Sequence, residues 1–507
     1  MLNSRPDELP SAIAEALRQW LLEQRWWPGD SHWASATVID LTDHVQIWLL
    51  RTPSGVTVQV PLICDVVEKD EPSPATSPDS EVSAASNVVS FADYSRRRHG
   101  QPEISAEPEQ TPGLIATVTV DDTDIAVIDA THDERFHRAV LEQLRIVEPW
   151  LKQSTNRLLI PDDIGDEDTT AGTPTERPGV YPPELEDGRR LGAVLAVEQS
   201  NTSIIMPRVH HGVIVKVLRC VVDGAQPDLD VPNSLAAAGF AHVPRTYAVL
   251  ESKVDDGRFL AGWQATLAIV SQLVTDAEDG FTRACAMAAG DLSATTDLRT
   301  LGADLAEMHT ALRRAFPAEI SSLYDVIDAL EERFEDSASR CDQVRELLGP
   351  IDTYLDAVRR QLGDEPVTVQ RLHGDLHLGQ TLWSPHGWWV LDFEGEPLRP
   401  LAARILPDLP ERDVAGMLRS VDYAAAISDG SPAWASQARD ALLTGYFQHE
   451  PAPTARYPRP DESHRRTLIE TFELDKAAYE VGYEQVHRPH WQHIPLAAMH
   501  RILAPYL

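Results

Sequence analysis

Three polar side chains, Asp375, Gln380 and Asp392, share one short stretch, Gln370 to Pro400, with two strand-like runs. A carboxylate can take the proton of an attacking hydroxyl, while an amide oxygen and a second carboxylate suit a hard divalent cation. Those are the parts of phosphoryl transfer, in which rate comes from positioning and from cations that neutralise oxygen charge. His373-Gly374-Asp375 opens a loop, Gln380 follows, and the apolar run Trp388 to Leu391 delivers Asp392-Phe393-Glu394. Glu394 is a further candidate carboxylate. Singly, HGD is ordinarily a turn and DFE a strand end; their separation, with an amide between them, implies chemistry.

A nucleotide site is expected upstream. Val194 to Val197 and Gly212 to Leu218 have the pattern of strands, and between them Glu198-Gln199-Ser200-Asn201-Thr202-Ser203 forms a small-residue turn without glycine. There Ser200, Asn201, Thr202 and Ser203 offer amide and hydroxyl donors to phosphates. Lys216 interrupts the apolar strand Val213 to Leu218, where an ammonium needs a partner: a phosphate or, by snorkelling, water. Asp230 is the acid of the next helix expected to pair with it. Ala265 to Val274 is a strand run, at whose end Gln272 and Val274 would offer backbone groups to adenine.

An acceptor site is expected on the last long helix, Thr467 to Val486. Glu473, Lys476, Glu480, Tyr483 and His487 follow helical spacing, a stripe that fits a sugar's hydroxyls and ring or, equally, solvent-facing ion pairs. His309 lies on the apolar stripe of a helix over Leu301 to Leu312 and reads as a packed histidine. An N-cap role suffices for Asp413, near the start of a helix at Pro410 to Tyr423.

The remaining elements must position these groups. A helix over Leu9 to Gln24 precedes strands at Ala36 to Ile39, Val45 to Arg51 and Gly55 to Ile63; strands at Gly113 to Val118 and Asp124 to Ile128 flank an Asp121-Asp122 turn, and a helix follows from Asp133 to Leu151. Helices are expected at Ile320 to Gly349 and Pro350 to Leu362. The acidic, Pro- and Ser-rich 65–112 reads as an insertion, its Arg96-Arg97-Arg98-His99 cluster as a solvated patch, and 161–190 as a linker. The expected units are thus 1–160, 191–275 and a mostly helical 276–507.

At 507 residues the chain has room for roughly two to four domains. Apolar residues at 43 % support a core, while a net charge of -35 opposes binding to nucleic acid or anionic membranes. Cys64, Cys220, Cys285 and Cys341 lack CxxC spacing, so neither a zinc site nor a disulfide framework is signalled. Neither a signal region nor a membrane-length apolar run is present, so a cytoplasmic location is expected.

EQSNTS, the strand lysine, AEMH, QRLHGDLHLGQ, VLDFEGEP, RDVAGMLRS, LDKAAYEVGYE and RPHWQHIPLAA together resemble the actinobacterial maltokinases, with QRWWPGD a looser match at the N-terminus. The resemblance implies an α+β, bilobal eukaryotic-protein-kinase-like fold with an N-terminal cap domain, related to aminoglycoside phosphotransferases. It implies ATP and Mg2+, with maltose phosphorylated at its anomeric hydroxyl. It makes Asp375 the base, Gln380 and Asp392 magnesium ligands and Lys216 the phosphate-pairing lysine. His373, His377, Arg419, Glu473, Lys476, Tyr479, Glu480 and Tyr483 become sugar-site residues. Trehalose synthase is the implied metabolic partner, and the product would feed α-glucan synthesis. The competing acceptor is an amino sugar such as glucosamine, and a non-catalytic nucleotide-binding scaffold is a further alternative.

Overall fold

The computed structural model describes residues 10–67, 112–147, 190–195, 201–222, 224, 226–254, 263–290, 294–396 and 401–507. The expected insertion and linker, the Arg96 cluster and Ser200 lie almost wholly outside these residues. The chain divides into two compact units, 1–226 with 245–275, and 227–244 with 276–507.

In the first unit, helix α1 (Ser11–Leu22) buries Ile13, Leu17 and Leu21, one apolar stripe at four-residue spacing. It covers an antiparallel sheet of β1 (Ser35–Asp40), β2 (Gln46–Arg51), β3 (Thr57–Val66), β4 (Leu114–Val120) and β5 (Thr123–Asp129), in the order β1-β2-β3-β5-β4. The β4–β5 hairpin turns at Asp121 and Asp122, both left-handed with φ of 47° and 63°. Both faces are buried: on β2, Trp48 and Leu50 join the α1 core, while Ile47 and Leu49 join a second core.

That second core is shared with α2 (Glu134–Glu142) and with an antiparallel sheet of β6 (Arg145–Ile146), β7 (Ala193–Val194), β8 (Thr202–Met206), β9 (Val213–Val217), β11 (Thr246–Val254) and β12 (Trp263–Gln272), ordered β6-β11-β12-β9-β8-β7. The helix expected to reach Leu151 stops at Glu142. Arg145 and Ile146 instead pair with Val249 and Ala248, and burying Ile146 in the sheet outweighs helical periodicity. Strand β10 (Cys220–Val221) pairs with β3, so the two sheets are stitched along the chain.

The second unit opens with α3 (Pro227–Ala237) and is otherwise mostly helical. Its helices are α4 (Gly280–Ala288), α5 (Ala294–Ala315), α6 (Leu323–Arg340), α7 (Asp342–Arg345), α8 (Leu348–Leu362), α9 (Leu401–Arg404), α10 (Glu411–Ile427), α11 (Pro432–His449), α12 (Glu462–His487) and α13 (His493–Leu503). The single helix expected over Ile320 to Gly349 is broken. Glu319–Ser322 forms strand β14, paired with β15 (Pro366–Val369), and Ser322 then caps α6 by accepting from Tyr324 N at 3.0 Å. A hairpin of β16 (Thr381–Ser384) and β17 (Gly387–Val390), with β13 (Glu278–Asp279) on β16, lies within the stretch Gln370 to Pro400. Among the described residues no helix is long and apolar enough to cross a membrane.

Candidate active site

The loop carrying Asp375 is held from behind by α10. Asp413 accepts from the backbone N–H of His373 at 2.9 Å and of Gly374 at 3.0 Å, and Ser420 Oγ accepts from Leu378 N at 3.0 Å. Between them Gly416 presents bare backbone, where a Cβ would lie 2.5 Å from the Leu376 carbonyl oxygen. These residues recur at helical spacing, so one face of α10 reads the loop's main chain. Gly374 turns the loop at φ 89°, a left-handed conformation that disfavours any side chain. Asp413 is therefore a buried loop clamp inside the helix rather than the expected N-cap.

Behind Asp413, His309 Nε2 donates to its Oδ2 at 3.2 Å, and His309 Nδ1 pairs with the Tyr446 hydroxyl at 2.9 Å. Burial alone would raise the Asp413 carboxyl, but the hydrogen bond and charge of His309 outweigh it and hold the group ionised. His309 is thus the packed histidine expected.

His373, expected at the sugar, is 1 % exposed and uses both ring nitrogens internally. Nε2 donates to the Leu391 carbonyl at 2.8 Å, and Nδ1 accepts from Asp375 N at 3.3 Å. It ties the loop to the strand that delivers Asp392, because both segments must keep one spacing for their side chains to meet.

On the metal side, Leu391 N donates to the Gln380 carbonyl at 2.9 Å, and Gln380 Nε2 lies 3.2 Å from Asp392 Oδ2. Asp392 sits at φ 61°, a strained backbone for a non-glycine residue, and buried Phe393 packs on the His373 ring at 4.7 Å. Carboxylate oxygens of Asp228, Asp392 and Glu394 lie within 4.8 Å of one another. An all-oxygen set of three carboxylates fits a hard cation such as Mg2+. Asp228 was not foreseen. Asp230, the acid expected from α3, is exposed, whereas Asp228, on the same first turn, is buried.

On the acceptor side, Lys476 of α12 places Nζ 2.9 Å from Asp375 Oδ1 and 3.4 Å from Glu396 Oε1, and Arg412 grips the other Glu396 oxygen at 3.0 Å. Burial alone would raise the Asp375 carboxyl; the Lys476 charge outweighs it and holds the group below the usual carboxylate value. Conversely, burial would loosen the Lys476 proton, and Asp375 and Glu396 hold it more firmly than in free lysine. His377 accepts from Gly379 N at 3.1 Å through Nδ1, and burial lowers its pKa against the pull of the Asp375 charge, so a neutral ring carries its proton on Nε2. Tyr479 and Tyr483 stack at 6.3 Å and 21°, with His487 4.4 Å beyond, and burial pushes the Tyr479 phenol up to about 12.

Two residues expected to touch sugar are instead structural. Glu473 is 2 % exposed and takes both Arg439 guanidinium nitrogens, at 2.6 and 2.8 Å. Arg419 is buried and donates to Glu480 at 2.8 Å and to Asp422 at 3.1 Å, so it fixes Glu480 rather than reaching the surface. Half-buried Lys476, Tyr479, Glu480 and Tyr483 remain along the helix face that reaches Asp375.

In the first unit, Lys216 stands on β9 between Ser203 of β8 and Ile269 of β12. Thr202 and Ser203 belong to strand β8, not to the expected turn, and Asn201 and Thr202 are occupied. Asn201 Oδ1 accepts from Arg219 N at 3.0 Å, and Thr202 Oγ1 from Arg219 Nε at 2.8 Å, while Arg219 pairs with Asp129 at 2.6 Å. A buried guanidinium needs those acceptors, which explains the diversion. Gln272 ends β12 with its N–H on the Arg245 carbonyl at 2.8 Å, and Val274 lies just beyond.

No family model matches the chain. It is similar to glucosamine kinase of Mycolicibacterium smegmatis, 27 % identical over 61 % of this chain and 79 % of that one. It is also similar to glucosamine kinase of Streptacidiphilus jiangxiensis, 26 % identical over 59 % of this chain and 71 % of the other. A solved glucosamine kinase in complex with glucosamine, ADP and inorganic phosphate superposes with a TM-score of 0.53 at 17 % identity, covering 92 % of this chain and 93 % of its own. The fold is therefore the bilobal, kinase-like one, and the relatives support a phosphotransferase.

Proposed function

We propose that the protein is an ATP-dependent sugar kinase whose acceptor is maltose, phosphorylated at the anomeric hydroxyl. The carrying observation is the junction of Asp375 with Lys476, 2.9 Å apart, which joins the loop of the phosphotransfer motif to the helix bearing Tyr479, Glu480 and Tyr483. Asp375 Oδ1 is held by Lys476, so Oδ2 takes the acceptor proton as the new O–P bond forms and the bond from the γ-phosphorus to ADP breaks. A hemiacetal hydroxyl is more acidic than an ordinary alcohol, so one carboxylate suffices as base. Gln380, Asp392, Glu394 and Asp228 would hold Mg2+, which would offset charge on the phosphate oxygens. Lys216 would pair with phosphate, and Gln272 and Val274 would meet the adenine. Trehalose synthase is the expected metabolic neighbour.

The stacked Tyr479 and Tyr483, continued by His487, extend the apolar wall along α12 and suit a second sugar ring better than a monosaccharide. Glucosamine is the second reading, favoured by the names of the relatives at 26–27 % identity. Incubating the protein with ATP, Mg2+ and separate sugars, and reading product mass, decides: maltose phosphate is expected. Glucosamine phosphate without maltose phosphate sinks the maltose reading.

A further inference from the structure

We infer that Lys476 is a specificity-determining residue that selects acceptors uncharged next to the reacting hydroxyl and turns away amino sugars in their ammonium form. The inference rests on the sugar-kinase reading and specifies its substrate class.

The ammonium of Lys476 is 2.9 Å from Asp375 Oδ1 and 3.4 Å from Glu396 Oε1, and Glu396 is itself fixed by Arg412 at 3.0 Å. Two carboxylates on one ammonium resist its swinging out when an acceptor arrives. The ammonium also lies over the Tyr479 ring, 5.1 Å from its centroid. A cation is thus built into the place where the acceptor must bind its base.

A hydroxyl hydrogen-bonded to Asp375 Oδ2 sits about 5 Å from Nζ, given ordinary hydrogen-bond lengths. An amino group on the neighbouring carbon, when protonated, would stand about as close. At that range two unit positive charges in a partly buried site repel enough to lower binding by on the order of 10- to 100-fold. The charges around Lys476 are Asp375 and His377 on the loop, Glu396 after the metal strand, Glu480 and the Arg333-paired Asp475 on its own helix, and Arg412 and Asp413 on α10. Glu480 is tied to Arg419 at 2.8 Å and Glu396 to Arg412, so neither acid is left to compensate an incoming ammonium. A neutral sugar meets no such penalty and can accept a hydrogen bond from Nζ.

The test measures kcat/KM for maltose, glucose and glucosamine, with ATP and Mg2+, from pH 6.5 to 9. In the unmodified protein the glucosamine-to-glucose ratio should be below about 0.1 at pH 6.5 and rise several-fold as the amine loses its proton near pH 8. Lys476→Met should raise that ratio about 10-fold or more at pH 6.5 and flatten its pH dependence, even if overall turnover falls. Lys476→Arg should keep the discrimination. If the unmodified protein prefers glucosamine to neutral sugars at pH 6.5, the inference falls while a sugar kinase remains. A ratio that Lys476→Met leaves unchanged also overturns it. Should no sugar be phosphorylated at all, the sugar-kinase reading fails first and this inference with it.

Discussion

Asp413 receives the backbone N–H groups of both His373 and Gly374, at 2.9 and 3.0 Å, and so fixes the main chain immediately before Asp375. A base that must meet a hydroxyl to within a fraction of an ångström depends on such a clamp more than on its own pKa.

Asp413→Ala should therefore lower stability by about 3 kcal/mol, since two buried N–H groups and the His309 ring lose their acceptor. Residual folded protein should show kcat reduced about 10- to 100-fold. Asp413→Asn, which keeps one acceptor oxygen, should lie between the two. Urea titration with kcat measured on the folded fraction checks this, and an unaltered kcat in Asp413→Ala would show that the clamp does not set the position of Asp375.

Asp375→Asn tests the base itself. The substitution keeps shape and leaves Lys476 its contact with Glu396, so the melting temperature should move by only a few degrees, while kcat falls by about 10²- to 10⁴-fold. Near-normal turnover in the folded variant would remove Asp375 from the mechanism.

Much of this site is legible in the sequence because the chemistry constrains residue types over a short span. Gln380 and Asp392 meet at 3.2 Å across the hairpin that follows the loop of Asp375. What pairs at long range is not legible. Nothing in ELDKAAYE distinguishes Glu473, buried against Arg439 of another helix, from Lys476, which faces the base; spacing places both on neighbouring faces, and only packing decides which is inward. Asp228 and Asp230 pose the same ambiguity on the first turn of α3. The small-residue turn misled for a physical reason: Asn201 and Thr202 offer the donors and acceptors a phosphate site would want, but the buried Arg219 claims them. The stripe Asp413, Gly416, Ser420 was a usable signal, a polar and small face on an otherwise buried helix.

Asp304 gives a pH prediction away from Asp375. Asp304 is 7 % exposed, and burial raises its pKa above the ordinary value, while the His242 ring, 3.8 Å away, and more weakly His449 draw it back. A raised acid contributes stability below its unfolded pKa near 4, and that contribution is lost as pH climbs through the folded value. Asp304→Asn should thus stabilise the protein by about 1–2 kcal/mol at pH 8 and leave it unchanged at pH 4. Thermal melts at the two pH values give the answer; equal shifts at both would mean that the carboxyl carries no ionisation penalty.

Glu473 and Tyr479 separate the structural from the acceptor-binding parts of α12. Glu473→Ala leaves Arg439, only 19 % exposed, with Asp422 at 3.3 Å as its remaining acid, so about 2–4 kcal/mol of stability should be lost. Acceptor KM should be unchanged in the protein that still folds, because the carboxylate never reaches the site. Tyr479→Ala should do the reverse. Its ring stacks on Tyr483 and lies beside the Lys476 ammonium, half-buried on the face that carries Asp375, so truncation removes a wall of the acceptor site and little of the core. The expected result is a maltose KM raised about 10-fold, from roughly 1–1.5 kcal/mol of ring contact, with the ATP KM unmoved and the melting temperature nearly so. An equal rise in both KM values would mean that Tyr479 positions the whole site instead of binding the acceptor. An increase for glucose as large as that for maltose would place Tyr479 at the first ring and leave the second-ring contact to Tyr483 and His487.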